Sequence, residues 1–360
     1  MRRFAFVIHP LRFDDFARKY GFTRYLPPSA VQWIFKQVGP VLTGHVTGVR
    51  SLTGEELEGW LIGLPLTPHV LLQSPYDWVL KKLIKAGELA ESLGAEILGL
   101  GAFTKIAGDR GISLAEHLHI PVTTGNSYTT ATAVEGTLQA ARRFNLDLSE
   151  TQTVVVGATG SIGRAATWLL AESVRHLTLV SRTPEALAAL AQELMGQHPE
   201  LTVQWTVDVQ EAVRQADILV AVSSATDAII EPSTLKPGAV VTDVARPRNL
   251  SRAVTEVRQD VLVLDGGVIE VPGAHADMGF DFGFPPRMVE ACMAETMILA
   301  LEGRLECFTL GPTVDVGRVR EIQTLAAKHG FRMAGFRRFE RAIDDAEIDR
   351  IRQVAQSASA

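Results

Sequence analysis

From Thr151 onward, short apolar runs of strand length and helical segments follow one another in strict alternation, and no other feature restricts the folding of this chain so tightly. The runs lie at 153–156 (Thr-Val-Val-Val), 177–180, 203–206, 218–222, 240–242 and 261–264, with helical segments at about 161–174, 184–195 and 208–215. Strands that are apolar throughout are buried on both faces, and a helix between successive strands makes them parallel. The spacing therefore predicts a doubly wound, parallel α/β domain over 151–284. Residues 1–150 mix strands at 4–9 and 97–101 with helices at 76–93 and 129–144, which predicts an N-terminal α/β substrate domain. After Pro285-Pro286 the pattern turns helical, at about 287–302 and 316–328, so 285–360 is expected to form a helical C-terminal region, with a polar tail at 356–360 that frays.

Between the first strand of the middle domain and its helix stand Gly157, Ala158, Thr159, Gly160, Ser161, Ile162 and Gly163. Glycines at this spacing permit a tight turn, let the backbone approach a pyrophosphate, and let the helix pack on the strand, while the helix N-terminus faces the anion. Placed directly after a strand and before an apolar helix, the loop marks a Rossmann-type dinucleotide site. The second strand ends in Ser181, Arg182 and Thr183, some 25 residues beyond Gly157, where an NAD-specific domain usually carries an acidic residue. A guanidinium there pairs with a 2′-phosphate, and flanking hydroxyls add hydrogen bonds, so the expected cofactor is NADPH. Val222 and Ser223 at the end of the fourth strand, and Gly266 and Gly267 after the sixth, are further candidate contacts.

Composition excludes more than it assigns. No run approaches the roughly 18–20 apolar residues of a membrane-spanning helix. The basic-then-apolar start, Met1 to Pro10, is too short for a signal peptide and reads as a strand. A net charge of −6 argues against general nucleic-acid binding, although Lys81, Lys82 and Lys85, Arg142 and Arg143, and Arg337, Arg338 and Arg341 form local basic clusters, solvated faces or docking points for an acidic partner. Two cysteines, Cys292 and Cys307, are too few for a disulfide framework and suit a cytoplasmic protein. His117 and His119 have no acidic or cysteine partner at ligand spacing, and no metal site is expected. Phe35, Trp60, Leu61, Leu64 and Trp78 line a fatty-chain tunnel or simply fill a core.

Cys292 lies within the predicted 287–302 helix, about two turns from its start. Cysteine between Ala291 and Met293 is ordinarily a small buried hydrophobe. A reactive thiol would need an electropositive setting, which Arg287 or a bound nicotinamide would supply. Glu295, three residues on, shares its helical face and is either an acid or base or a solvated glutamate.

Four segments, in family order, resemble the cyanobacterial-type long-chain acyl-[acyl carrier protein] reductases. They are 100–104 (Leu-Gly-Ala-Phe-Thr), 123–129 (Thr-Thr-Gly-Asn-Ser-Tyr-Thr), 155–163 with its glycine loop, and 264–270 (Leu-Asp-Gly-Gly-Val-Ile-Glu) together with 291–295 (Ala-Cys-Met-Ala-Glu). The likeness spans about 97–303, with a weaker match at 328–331; the first 90 residues and 272–284 depart from it. The resemblance implies NADPH-dependent reduction of a fatty acyl thioester, carried by acyl carrier protein or coenzyme A, to an aldehyde, with Cys292 bearing the acyl group. An aldehyde-consuming enzyme would then be a further partner. Asn126 or nearby N–H groups would supply the oxyanion donor, and Thr124, Gly125 and Ser127 would contact substrate. Lys105 follows the first segment where a small residue is expected; it is a surface lysine or a contact for a substrate phosphate or carboxylate. Two other readings remain: a shikimate-type alcohol dehydrogenase in which Cys292 is structural, and a non-catalytic NADP-sensing protein.

Overall fold

The computed structural model describes residues 1–11, 21–106 and 108–359. They divide into two compact units. The first comprises 1–126, 269–312 and 321–332, the second 127–268, 313–320 and 333–360. The chain thus passes between units at several places, where the sequence pattern suggests cuts at 150 and 284.

In the first unit, β1 (Arg2–Ile8), β2 (Val41–Arg50), β3 (Glu56–Gly63), β4 (Leu98–Leu100) and β5 (Val122–Thr123) form a sheet of order β2-β3-β1-β4-β5. All neighbours are parallel except the β2–β3 hairpin. That hairpin has no apolar alternation clean enough to announce itself. Gly44 and Gly48 interrupt β2, whose pairing slips between Leu42 and Gly44 and again between Val46 and Val49. The helix predicted at 76–93 is Tyr76–Ser92; it packs Val79, Leu83, Ala86 and Ala90 into the core beneath this sheet, while Trp78, Leu80, Ile84 and Leu89 are only partly buried against it. Phe35, Leu61 and Leu64 are buried at 4%, 0% and 0% exposure. Phe35 belongs to a small separate cluster with Val31, so core packing rather than a tunnel accounts for these side chains.

One expectation is corrected here. The helix after Pro285-Pro286 begins at Ala291, not Arg287. Residues Met288–Glu290 are a strand, Arg287 takes φ +64°, outside the helical region, and its carbonyl accepts the Val271 N–H at 2.8 Å. Cys292 is therefore the second residue of the helix Ala291–Glu302, in its first turn. Residues 291–301 are all buried, and this helix lies against β1, β3 and β4. A side chain on Gly99 of β4 would stand 2.2 Å from Thr296 Oγ1, so the close approach depends on that glycine.

The second unit follows the predicted alternation closely. Strands β6 (Gln152–Val156), β7 (His176–Val180), β8 (Thr202–Thr206), β9 (Ile218–Ala221), β10 (Val240–Asp243) and β11 (Leu262–Asp265) are all parallel, in the order β11-β10-β9-β6-β7-β8. Read from β8, that is the 3-2-1-4-5-6 order of the doubly wound dinucleotide-binding sheet, with the switch of direction between β6 and β9. Helices Ser161–Ala171 and Pro184–Gln197 cover one face through Ala166, Leu170, Leu187, Leu190 and Leu194. The polar tail expected to fray continues the helix Asp345–Ser359, and Ala360 lies outside the described residues. Two of the basic clusters are largely neutralised internally: Arg143 pairs with Asp345 and Asp349, and Arg338 and Arg341 both pair with Glu347.

Candidate functional site

At the carboxyl end of β6 the glycine loop turns on Gly157, at φ +90°. A Cβ there would stand 2.9 Å from the Ser223 N, and one on Gly163 would stand 2.1 Å from the Gly157 carbonyl oxygen. Both glycines are dictated by the protein's own packing. Gly160 is different: a Cβ would meet only the Gly157 oxygen, at 3.3 Å, with nothing else within 4 Å. It begins the helix Ser161–Ala171 without any side-chain cap. An open glycine at an uncapped helix N-terminus on the switch point is a cradle that fits a pyrophosphate. The Gly157 and Ala158 N–H groups donate to the Val180 carbonyl, which ties the loop to the end of β7. Thr159 Oγ1 and Ser181 Oγ stand 2.5 Å apart. Beside them Arg182 is exposed and makes no ion pair among the described residues, while Thr183 begins the helix Pro184–Gln197.

The other predicted contacts have structural reasons of their own. The Ser223 N–H donates to Asn249 Oδ1 at 3.0 Å, and Asn249 is fully buried, so the Val222-Ser223 turn after β9 is held firmly. Gly266 lets the end of β11 pack on Val244, which a Cβ would approach to 2.7 Å; Gly267 takes φ +73°. Asp243, for which the sequence offers no motif, ends β10 at 1% exposure. Burial pushes its carboxyl up to about 6, against the Leu250 and Ala245 N–H groups it accepts from and nearby Arg246 and Arg248.

In the first unit, four separated segments meet around Cys292. A Cβ on Gly125, which takes φ +71°, would stand 2.3 Å from Cys292 Cα, so the Thr124-Gly125-Asn126 turn lies directly on the cysteine's backbone. Asn126, 4% exposed, opens the helix Asn126–Arg143, three residues earlier than its periodicity predicts; Thr124 and Ser127 are fully buried. Thr124 donates both its N–H and its hydroxyl to the Thr309 carbonyl, at 2.9 and 3.1 Å. Glu295 is likewise fully buried, and its Oε1 accepts from Thr123 Oγ1 at 2.7 Å and Thr309 Oγ1 at 2.9 Å. It is thus neither solvated nor presented to a reactant through that oxygen; it clamps β5 and the Thr309 segment to the cysteine helix. Thr123 opens the 123–129 segment of the resemblance without any role assigned to it, and Thr309 lies outside every segment that sequence reasoning used.

Cys292 is 9% exposed, and burial pushes its thiol up. The Lys105 ammonium opposes that rise, Glu290 and Glu295 add to it, and a hydrogen bond from the Met293 N–H opposes it again. Among the described residues the cation that acts on this thiol is Lys105; of the two sources expected from sequence, Arg287 and a bound nicotinamide, the Arg287 guanidinium is 2.8 Å from Glu270. Lys105 ends the short turn Ala102–Lys105 after β4, half-buried rather than a freely solvated surface lysine. The Phe103 N–H of that turn donates to His9 Nε2 at 2.9 Å. Among the described residues no group of His, Cys, Asp or Glu is arranged to hold a metal ion, and no helix is long and apolar enough to cross a membrane.

Comparison with known proteins finds relatives of this chain. The family model of shikimate / quinate 5-dehydrogenase matches residues 139–265, all within the second unit. The aminotransferase PigE of Serratia is 34% identical over 287 residues, 79% of this chain; the chain spans 33% of that protein's length. A glutamyl-tRNA reductase of Sorangium cellulosum is 24% identical over 81% of this chain and 53% of its own. The long-chain acyl-[acyl-carrier-protein] reductase of Synechococcus elongatus is 30% identical over 339 residues, which are 88% of this chain and 94% of that protein. With identity maintained across nearly the whole of both chains, this protein belongs to the family of that cyanobacterial acyl-[acyl-carrier-protein] reductase.

Proposed function

We propose that the protein reduces a long-chain fatty acyl thioester, carried by acyl carrier protein or coenzyme A, to the fatty aldehyde, with NADPH as reductant and Cys292 as the acyl carrier. The observation that carries this reading is the setting of Cys292. It stands in the first turn of a buried helix, with the Gly125 backbone against it and the Lys105 charge acting on its sulfur. A lysine charge that opposes the rise of the thiol pKa favours the thiolate, a form that a merely structural cysteine does not need. Two relatives whose names describe reduction of activated acyl groups, a carrier-bound fatty acid and a tRNA-bound glutamate, support the same class of chemistry. The shikimate / quinate match covers only residues 139–265, without Cys292, Gly125 or Lys105, and so speaks for the dinucleotide fold rather than for alcohol oxidation.

On this reading Lys105 and the helix N-terminus stabilise the Cys292 thiolate against burial. The sulfur attacks the thioester carbon; a new carbon–sulfur bond forms, the carrier's carbon–sulfur bond breaks, and the departing thiolate takes a proton. Asn126, next to Gly125, and the first N–H groups of the cysteine helix are the donors offered to the oxyanion. The dinucleotide, when bound through the 157–163 loop with Arg182 on its 2′-phosphate, supplies the hydride that converts the acyl group to aldehyde. Cys292 then leaves as thiolate, ready for another turnover. Glu295 keeps Thr123 and Thr309 in register so that Gly125 stays seated on the cysteine.

The test is intact mass after incubation with a long-chain acyl-CoA and no dinucleotide. The expected result is a gain of one acyl group that is absent in Cys292→Ser, and that disappears with release of aldehyde when NADPH is added. NADPH consumed without any acyl adduct, or an adduct that persists in Cys292→Ser, would overturn the reading. Neither adduct nor NADPH consumption would leave a dinucleotide-sensing role.

A further inference from the structure

We infer that the face formed by residues 21–37 and the helix Tyr76–Ser92 docks on an anionic lipid bilayer. In a chain of net charge −6, residues 16–54 contain no aspartate or glutamate at all, yet include Arg24, Lys36 and Arg50 within their described part. The same stretch exposes large aromatics: Tyr25 at 87%, Trp33 at 67% and Phe22 at 52%. Trp33 protrudes from the helix Pro28–Gln37, whose opposite side seats Val31 and Phe35 in their small cluster.

This segment is pinned to the neighbouring helix by Lys82, whose ammonium donates to the Lys36 and Val38 carbonyls at 2.9 Å each and lies 5.4 Å from the centre of the Trp78 ring. Lys81 and Lys85 flank it. The proximity of Lys85 to Lys82 adds to burial in lowering the Lys82 pKa, the mark of like charges held together. Arg24, Lys36, Lys81 and Lys85 are exposed, and none has a carboxylate at ion-pair distance among the described residues, although Asp77 and Glu88 are exposed on the same helix. Arg143, Arg338 and Arg341 elsewhere all have acidic partners. Cations without an acidic partner among the described residues, beside protruding Trp, Tyr and Phe, suit a bilayer surface, where aromatic rings settle at headgroup level and lysines meet anionic lipid. A protein partner would need concave pockets matched to three separate rings; a bilayer deforms around them. Under the proposed function the aldehyde product is itself soluble in that bilayer, but the surface stands independently of the reaction.

The experiment is co-sedimentation of the full chain with vesicles of phosphatidylcholine and phosphatidylglycerol in equal parts, and with phosphatidylcholine alone. Binding to the anionic vesicles only, weakened by added salt, is expected. The double variants Tyr25→Ser with Trp33→Ser, and Lys81→Glu with Lys85→Glu, should each lower the partition coefficient by about tenfold or more. Circular dichroism of each variant checks that it folds; all four side chains are exposed. Absence of vesicle binding, equal binding to both lipid mixtures, or binding unchanged in both variants would overturn the inference. So would loss of turnover with carrier-protein substrate in these variants without any vesicle binding, which would assign the face to the acidic carrier instead. None of these readouts depends on whether Cys292 carries an acyl group.

Discussion

Gly125, in the first unit, and Gly160, in the second, stand at the entrances of the helices Asn126–Arg143 and Ser161–Ala171, and they are glycines for opposite reasons. Gly125 is demanded by the protein: its φ is +71°, and any Cβ would collide with the backbone of Cys292. Gly160 has an ordinary backbone, and its Cβ would meet only the Gly157 carbonyl oxygen, at 3.3 Å. The first glycine is fixed by tertiary packing against a remote helix, whereas the second lies within one contiguous loop. On the proposed function the difference separates a reaction centre from a dinucleotide cradle.

Substitution at the two glycines should therefore fail in different ways. Gly125→Ala combines a left-handed backbone with steric overlap, and we expect a loss of about 2–5 kcal/mol of stability together with loss of acyl adduct, read by thermal melting and intact mass. Gly160→Ala should leave the melting temperature nearly unchanged and weaken dinucleotide binding, by about tenfold or more, in a fluorescence titration. If Gly160→Ala unfolds the protein while binding per folded molecule is kept, the comparison breaks. Arg182 sharpens the cradle side. Removing one charge-assisted pair costs about 1.5–3 kcal/mol, so Arg182→Ala should raise the NADPH Michaelis constant by about 10- to 100-fold and leave that for NADH almost unmoved. Equal effects on both would show that Arg182 does not read the 2′-phosphate.

Lys105 sharpens the other side. Burial pushes the Cys292 thiol up and Lys105 pulls it back, so Lys105→Met must raise the thiol pKa further. The thiolate fraction at neutral pH falls as that pKa rises. The pH profile for alkylation by iodoacetamide should therefore move toward alkaline pH, and the rate in neutral buffer should drop by about tenfold for every pH unit the midpoint climbs. An unmoved profile would remove Lys105 from the site. The smallest effect is expected at Glu295. A glutamine can still accept from Thr123 and Thr309 through its carbonyl oxygen, so Glu295→Gln should retain turnover within a few-fold, whereas loss of a general acid or base costs about 10²- to 10⁴-fold.

The same contrast explains what could be read in advance. The second unit was legible almost strand by strand, because an apolar run between helices and a glycine spacing are local properties of consecutive residues, as at 153–163. Cys292 was identified through family likeness, but its place in the helix was misjudged by about a turn, since pairing of Met288–Glu290 as a strand depends on Val271 and its neighbours, remote in sequence. Sequence offered Arg287, five residues away, or a bound nicotinamide as the charge on its sulfur; Glu270 engages that arginine, and Lys105 acts from nearly two hundred residues upstream. Glu295 read as an acid or base or as a solvated glutamate, and its bonds to Thr123 and Thr309, residues remote from it in sequence, make it a clamp.

By itself, then, the sequence determined the doubly wound sheet and the glycine loop between its first strand and helix, because these follow from strand and helix periods and from which backbone angles glycine alone allows. Tertiary structure decided which of the charged and hydroxyl side chains face the cysteine. Electrostatic and hydrogen-bonding partners are set by distance in space, and residues 105, 123–126, 290–295 and 309 become neighbours only once the β4–β5 edge of the first sheet and the cysteine helix have packed together.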